Sequence, residues 1–340
     1  KHMCIKKFPV LIDVDTGVDD ALALTAACAC PQFDIIGVTT VAGNVDLKYT
    51  TKNTMNVLHL LGRDDIPVAA GADGPLERPL IRASAVHGVE GLRGFQFEEN
   101  YTDSLVDEDA VTFLWNKLKS QKEKVTIIAL APLTNIARLI LSHEDCGEYI
   151  EKIVFMGTSY HDGNPSPIVT FNVLVDPEAL RIVLDSKIEF CAVPLDVTRQ
   201  CYLTPEEIGM IGKDQGVISQ FAHSILTHYG SGYLTEKERE AINAKGNEEQ
   251  ITATKTAEEN ARVSLHDPAT VAFAACPDMF TARKYFAMVE CKGEITTGFT
   301  LIDKRNFYAK QPEEMNILFA ETVDRERMIN WFISAIKSYN

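Results

Sequence analysis

Four carboxylates fall within eight residues near the start of the chain, in Leu11-Ile12-Asp13-Val14-Asp15-Thr16-Gly17-Val18-Asp19-Asp20-Ala21. Like charges this close repel unless a cation neutralises them. Hard oxygen ligands at a strand end suit calcium or magnesium. Asp19 and Asp20 have a second use, because acids at a helix start cap it and complement its dipole. Asp13 and Asp15 close an otherwise apolar strand and have no such use. Gly17 is placed to allow a tight turn. An EF-hand loop does not fit, since Val18 stands where its glycine is required and Leu24 where its closing glutamate is required. An Asp-x-Asp-x-Thr phosphatase nucleophile fits imperfectly, with Gly17 in the threonine place and Thr16 one position early.

Two further segments carry polar groups in the same style. In Val263-Ser264-Leu265-His266-Asp267-Pro268-Ala269, Asp267 reads as a helix cap before proline or as a further carboxylate for the first cluster. His266 reads as a core histidine or as a site residue. Asp176-Pro177-Glu178 shows an ordinary Asp-Pro helix start with no histidine before it. In the stretch from Val154 to Glu178, a strand ends in a loop holding Met156-Gly157, Gly163-Asn164 and Phe171-Asn172. Asn164 and Asn172 offer both donors and acceptors, which suits hydroxyl recognition, although each alone reads as a turn former.

The elements that would position these groups alternate. Val10–Val14, Ile35–Thr39, Val125–Leu130, Ile153–Met156 and Phe190–Val193 are predicted strands. Ala21–Ala29, Leu47–Leu61, Leu133–Leu141 and Pro177–Asp185 are predicted helices. Such alternation implies βαβ units, hence an α/β fold with a mainly parallel open sheet and helices on both faces, Rossmann-like. Ligands bind outside the carboxyl ends of strands in such sheets. Thr204-Pro205-Glu206-Glu207 is a helix start with a capping box. Residues 229–232 read as a break, and 236–262 as exposed helix or loop. Phe286–Val289 and Thr297–Ile302 are predicted late strands. Val323, Ile329, Phe332, Ile333 and Ile336 form a helical stripe, so an amphipathic helix closes the chain. No repeat or linker divides it, and residues 8–340 read as one domain with helical insertions.

Composition limits the partners. The chain has 340 residues, 46% of them hydrophobic, with net charge -15 and a pI near 5.0. Such a surface repels nucleic acid and anionic membrane but not a small neutral substrate. No apolar run is long enough for a bilayer span. Lys1-His2-Met3 reads as a cloning remnant, and no signal peptide is read after it. The eight cysteines form no C-x-x-C pair and read as reduced, buried thiols of a cytoplasmic protein.

With these segments in place, the chain resembles the inosine–uridine-type nucleoside hydrolases. The Asp-x-Asp-x-Gly-x-Asp-Asp-Ala match is specific. Ala42-Gly43-Asn44-Val45, Ala129-Leu130-Ala131-Pro132-Leu133-Thr134-Asn135, Met156-Gly157, Gly163-Asn164, Phe171-Asn172, Asp176-Pro177-Glu178-Ala179, Pro194-Leu195-Asp196-Val197-Thr198 and His266-Asp267-Pro268 follow in the family's order. The resemblance implies hydrolysis of the N-glycosidic bond of purine or pyrimidine ribonucleosides to free base and ribose. It implies calcium held by the side chains of Asp15, Asp20 and Asp267 and the backbone carbonyl of Leu130. Asp15 would double as general base on the attacking water, supported by Asn44. Asp19, Asn164 and Asn172 would bind ribose hydroxyls, with Met156 packed near the sugar. His87 and His266 would line the base pocket, His266 as the acid for the leaving base. A homodimer or homotetramer is the usual assembly.

Two positions depart from the family pattern. Thr170 stands where a glutamate usually contacts a ribose hydroxyl. Thr158 stands where a glycine usually follows Met-Gly, which reads as a minor change. Two other classes stay open on the residues alone. One is a magnesium-dependent phosphohydrolase of the HAD type with Asp13 as nucleophile, though no convincing downstream lysine or second acidic pair is found. The other is a non-catalytic nucleoside-binding protein, suggested only by Thr170.

Overall fold

A computed structural model describes residues 6–229, 262–307 and 310–339. Residues 1–5, which include Lys1-His2-Met3, and residues 230–261, which hold most of the break and of the helix or loop read from the sequence, lie outside the described residues. The strands are β1 (Phe8–Val14), β2 (Phe33–Thr40), β3 (Val68–Ala70), β4 (Val125–Ala129), β5 (Ile150–Met156), β6 (Phe190–Val193), β7 (Tyr202–Leu203), β8 (Val263–Ser264), β9 (Phe280–Val289), β10 (Thr300–Asp303) and β11 (Ile317–Val323). The helices are α1 (Val18–Ala29), α2 (Leu47–Leu60), α3 (Ser84–His87), α4 (Ala110–Ser120), α5 (Thr134–Ser142), α6 (Phe171–Val175), α7 (Pro177–Asp185), α8 (Leu195–Thr198), α9 (Pro205–Gly212), α10 (Val217–His228), α11 (His266–Ala275) and α12 (Arg325–Lys337).

Nine strands form one sheet in the order β10-β9-β11-β6-β5-β4-β1-β2-β3. The ladder is parallel from β11 to β3, while β9 and β10 add antiparallel strands at one edge. This is the α/β architecture read from the sequence. Side chains alternate between two cores: Val10, Ile12 and Val14 enter one and Leu11 the other. Helices therefore cover both faces, which is why these strands are apolar throughout.

The chain order reverses between β1 and β4, so a switch point lies at the carboxyl end of β1. Crevices at such points take ligands. In register there, Asp13 pairs with Thr39 of β2 and with Ala129 of β4. Asn44 follows β2, Leu130 follows β4, and Gly157 follows β5.

Helices α1 and α11 pack on each other. Both are buried nearly all round, and alanines at 21, 23, 26, 27, 269, 272 and 274 allow the close approach. The short β7–β8 ladder and the bond from Leu265 N to Cys201 O (2.7 Å) tie the start of α11 to the end of α8.

Some local expectations need correction. Val323 belongs to β11, and the closing helix begins at Arg325 behind the cap Asp324, which accepts from Arg327 N at 3.2 Å. The late strand predicted from Thr297 starts at Thr300, after a turn in which Thr297 and Phe299 donate to backbone carbonyls. Strand β3 and helix α4 had no clear pattern: β3 is three residues long, and only one side of α4 is buried. The capping box is as predicted, with Glu207 N donating to Thr204 Oγ1 at 3.2 Å and Thr204 N to Glu207 Oε2 at 2.8 Å. The described cysteines are free thiols, buried or half-buried. No described helix is long and apolar enough to cross a membrane.

Candidate active site

The acidic cluster is assembled by β1, the turn behind it and the first turn of α1. Asp13, Asp15 and Asp20 are fully buried, and Asp19 is nearly so. Backbone amides and side-chain amides hold them in fixed orientations. Asp20 accepts from Asp15 N (3.2 Å) and Gly17 N (3.1 Å), so it folds back over the turn. Asp15 Oδ2 accepts from Asn44 N at 2.7 Å, while Asn44 Nδ2 donates to Asp15 O and Asp20 Oδ2, both at 3.2 Å. Asp13 Oδ1 accepts from Thr39 Oγ1 (2.5 Å) and Asn135 Nδ2 (2.8 Å). Asp19 Oδ2 accepts from Asp267 N at 2.8 Å, joining α1 to the first turn of α11 across 248 residues. The cap of α11 is Leu265, so Asp267 is free of the capping duty that Asp176 performs at α7.

Three carboxylate oxygens keep no partner: Asp13 Oδ2, Asp15 Oδ1 and Asp19 Oδ1. A buried, unpaired carboxylate oxygen is costly. Burial accordingly pushes every carboxyl of the cluster up. Asp13 rises to about 7 and Asp20 to about 6, each with burial as the main cause. Asp15, Asp19 and Asp267 rise well above the ordinary range through burial, reinforced by neighbouring carboxylates. These acids have no cationic side chain among their bonded partners. A divalent cation of hard character is the missing counter-charge that fits such a donor set. Among the described residues no three acid, histidine or cysteine side chains already stand as a ligand set. Backbone amides and the side chains of Thr39, Asn44 and Asn135 hold some of the carboxylate oxygens, and the three orphaned oxygens mark where a cation or water would be welcome.

Above the cluster is a cavity of about 640 Å³, within the size range of small-molecule sites. Asp19, Asn44, Leu130 and Asp267 line it, whereas Asp15 and Asp20 are fully buried and reach it only through their bonds to Asn44. Asn172 Nδ2 donates to Leu130 O and to Met156 O, both at 3.0 Å, and its Oδ1 takes no bond from the described residues. Met156 and Asn164 line the wall. Asn164 Oδ1 accepts from Phe171 N at 2.9 Å, so half of this side chain does the work of a turn former. Of the site residues expected from the sequence, Asp19, Asn44, His87, Leu130, Met156, Asn164, Thr170, Asn172, His266 and Asp267 line the cavity, while Asp15 and Asp20 are buried and bonded to Asn44 of its lining.

Two glycines of the cluster are required by close approach. The chain bends at Gly17 as expected, but with φ −103°, which any residue adopts, so the bend itself does not require glycine. A Cβ there would stand 2.5 Å from His87 Nδ1. A Cβ on Gly43 would overlap Asp15 Oδ2. His87 and His266 both line the cavity. Burial pushes each down to about 4, with a smaller contribution from His266 on His87 and from Arg199 on His266. Both rings are therefore neutral at neutral pH. That weighs against a standing imidazolium at His266.

The family model for inosine-uridine preferring nucleoside hydrolases matches residues 10–330. The chain belongs to this nucleoside hydrolase family. The non-specific ribonucleoside hydrolase RihC of Escherichia coli (strain SMS-3-5 / SECEC) is 35% identical over 297 residues, covering 87% of this chain and 88% of that protein. The protein of the same name from Klebsiella pneumoniae (strain 342) is 32% identical over 330 residues, 97% of this chain and 98% of its own length. Among solved structures, a plant nucleoside hydrolase matches with TM-score 0.83 at 28% identity over 97% of this chain and 98% of that one. A purine-preferring ribonucleoside hydrolase from Gardnerella vaginalis matches with TM-score 0.81 at 26% identity over the same shares.

The two departures of this nucleoside hydrolase from its family pattern touch each other: Thr158 N donates to Thr170 Oγ1 at 3.1 Å. Thr158 has φ +71°, the left-handed region that glycine favours. Its Oγ1 is buried without a partner. The change at this position is therefore not minor. A β-branched residue in that region costs on the order of 1–2 kcal/mol, and the orphaned hydroxyl adds to it. Glycine gives back part of the gain through its looser unfolded chain. Thr158→Gly is expected to stabilise the fold by about 1 kcal/mol, read as a higher urea midpoint at unchanged slope. A lower midpoint would show that Thr158 carries a contact outweighing its strain.

Sequence reasoning left some cavity residues undecided. Tyr229, which could equally have been core or surface, is nearly buried and lines the cavity. His228 instead bonds Ser224 O at 2.7 Å on the exposed side of α10. Tyr233 lies outside the described residues. Arg82, Arg93 and Arg262 also line the cavity. Arg82 and Arg93 flank α3 and Arg262 precedes β8, a spacing that matches no motif.

Proposed function

We propose that this nucleoside hydrolase cleaves the N-glycosidic bond of ribonucleosides with calcium as its metal and Asp15 as its general base. The observation that carries the reading is the carboxylate cluster. It is buried, lacks a counter-charge, has three orphaned oxygens, and lies under a cavity of nucleoside size. The names of the relatives supply the substrate class. Asp15, Asp20 and Asp267, with the carbonyl of Leu130, would hold the ion. Bound there, it would acidify a water and polarise the ribose diol.

The side chains supply the remaining steps. Asn44 occupies Asp15 Oδ2, so the free Oδ1 is the atom that accepts the water proton. Asp19 Oδ1 and the free oxygen of Asn172 accept from ribose hydroxyls. Met156 packs beside the sugar, and Asn164 and Thr170 contact its outer end. As the bond breaks, charge on the sugar is oxocarbenium-like and the surrounding carboxylates stabilise it. His87 and His266 face the leaving base. A neutral His266 favours a hydrogen-bonding role over that of acid. The reading extends to a cytoplasmic homodimer or homotetramer. Exposed Met288 and Leu301 on neighbouring strands β9 and β10 offer apolar surface for association, and a monomer by light scattering would remove that part.

The test is release of free ribose from a panel of ribonucleosides, with and without a strong chelator. Hydrolysis that stops on chelation and returns with calcium is expected. Full activity in a metal-free preparation would remove the ion. Calcium should also raise the melting temperature, because a ligand at 100 times its Kd stabilises the native state by about 2.7 kcal/mol. Unchanged melting across a calcium titration would count equally against the ion.

A further inference from the structure

We propose that His87 is locked in the neutral tautomer that carries its proton on Nε2, and that it selects nucleobases by a hydrogen-bond acceptor on the edge facing it. The inference rests on the cavity being a nucleoside site and assigns a specificity role within it.

The lock comes from the backbone. Val18 N lies 3.1 Å from His87 Nδ1. An amide N–H only donates, so Nδ1 must accept and carry no proton. Val18 is the first residue of α1, whose Gly17 cap has no side chain to offer. The imidazole thus does the work of a capping side chain, supplied from α3 across 69 residues. Gly17 permits this, since a Cβ would meet the ring. A second proton would place an N–H against an N–H at the positive end of a helix. Burial acts in the same direction, and the charged form is suppressed at neutral pH.

The opposite nitrogen faces a different setting. His87 lines the cavity with Tyr229, whose ring centre is 5.6 Å away. Nε2 has no partner among the described residues and is not among the buried unpartnered atoms. It is therefore a donor open to the cavity. His266 differs in this respect. Its Nδ1 lies 2.7 Å from Thr198 Oγ1, and a hydroxyl either donates or accepts. Only His87 has its hydrogen-bonding sense dictated by the main chain.

A donor that is unable to become an acceptor discriminates between base edges. A carbonyl oxygen or unprotonated ring nitrogen satisfies it. An amino group, or a bare C–H, leaves it unpaired. The comparison of choice is inosine with purine riboside, in which a C–H replaces the C6 carbonyl and the neighbouring N1 loses its proton, so that loss of discrimination is read at the carbonyl position. We expect the ratio of their kcat/KM values to fall by about ten-fold in His87→Phe, the worth of one neutral hydrogen bond. His87→Gln, whose amide can accept from Val18 N and donate from its NH2, should recover most of it. An unchanged ratio in His87→Phe would overturn the selection.

Neutron diffraction from the wild-type protein tests the lock without any variant. Nuclear density for a hydrogen on Nε2 and none on Nδ1 is expected, and a hydrogen on Nδ1 would overturn the proposal. The two failures are distinguishable. If no ribonucleoside releases base, the enzymatic reading falls, while the neutron result still decides the tautomer.

Discussion

Asp15→Asn is expected to lower the turnover of a ribonucleoside by at least roughly 10²–10⁴-fold, the range attributed to general base catalysis. Asparagine is nearly isosteric and keeps an oxygen for Asn44 N, so the turn should survive. What is lost is the basic Oδ1 that no protein group occupies. The same change has the opposite effect on stability. Asp15 is buried, and burial first, then Asp20 and Asp13 beside it, raise the cost of its charge. In the presence of a chelator, Asp15→Asn should therefore unfold at higher urea than the wild type. Near-normal turnover in the variant would remove Asp15 from the base role. A variant that is inactive and also less stable under chelation would point to simple damage to the turn.

The second large effect concerns the sugar. 2′-Deoxyribonucleosides should be turned over at least about 10²-fold less efficiently than ribonucleosides, because a site built to bind a hydroxyl leaves its own polar groups unpaired when that hydroxyl is missing. Asp19 is the residue in question. Its Oδ2 is committed to Asp267 N, which leaves Oδ1 as a buried acceptor in the cavity floor. A proposed calcium ion would lose one oxygen of its shell as well. Steady-state kcat/KM for inosine and 2′-deoxyinosine decides the matter. Equal values would sink the diol-binding arrangement.

Much of this arrangement was legible before any coordinates. The strands that carry the site, β1, β2, β4 and β5, are apolar runs with helices on both sides, and that signal is strong. Helix α7 and its Asp176 cap, and α9 with its capping box, were readable from local chemistry. Asp13, Asp15, Asp19 and Asp20 stood out because an apolar strand has no other reason to end in acids. What stayed hidden depends on contacts between distant segments. Gly17 looked like a turn residue and is one, but the need for glycine there comes from His87, which packs against it. Thr158 looked harmless because its backbone angle is invisible in a sequence. Tyr229 and Arg262 come from segments far from the one around α3 that supplies Arg82 and Arg93, and no spacing links them. Val323 fell on a helical stripe by coincidence of period, and pairing with β9 assigns it to a strand.

The bond between Asp267 N and Asp19 Oδ2 spans most of the molecule. Its two ends belong to the first helix of the chain and to one of the last. Closing so long a loop is entropically costly and comes late unless many other contacts help. The first four acids of the site are local and can gather early, but they gather as a repelling group. Only the arrival of α11 completes them. Ion capture should then coincide with the final assembly of the chain rather than seed it. A nascent chain released before residue 266 would carry the repulsion without Asp267, which gives incomplete molecules a built-in disadvantage in holding the proposed ion.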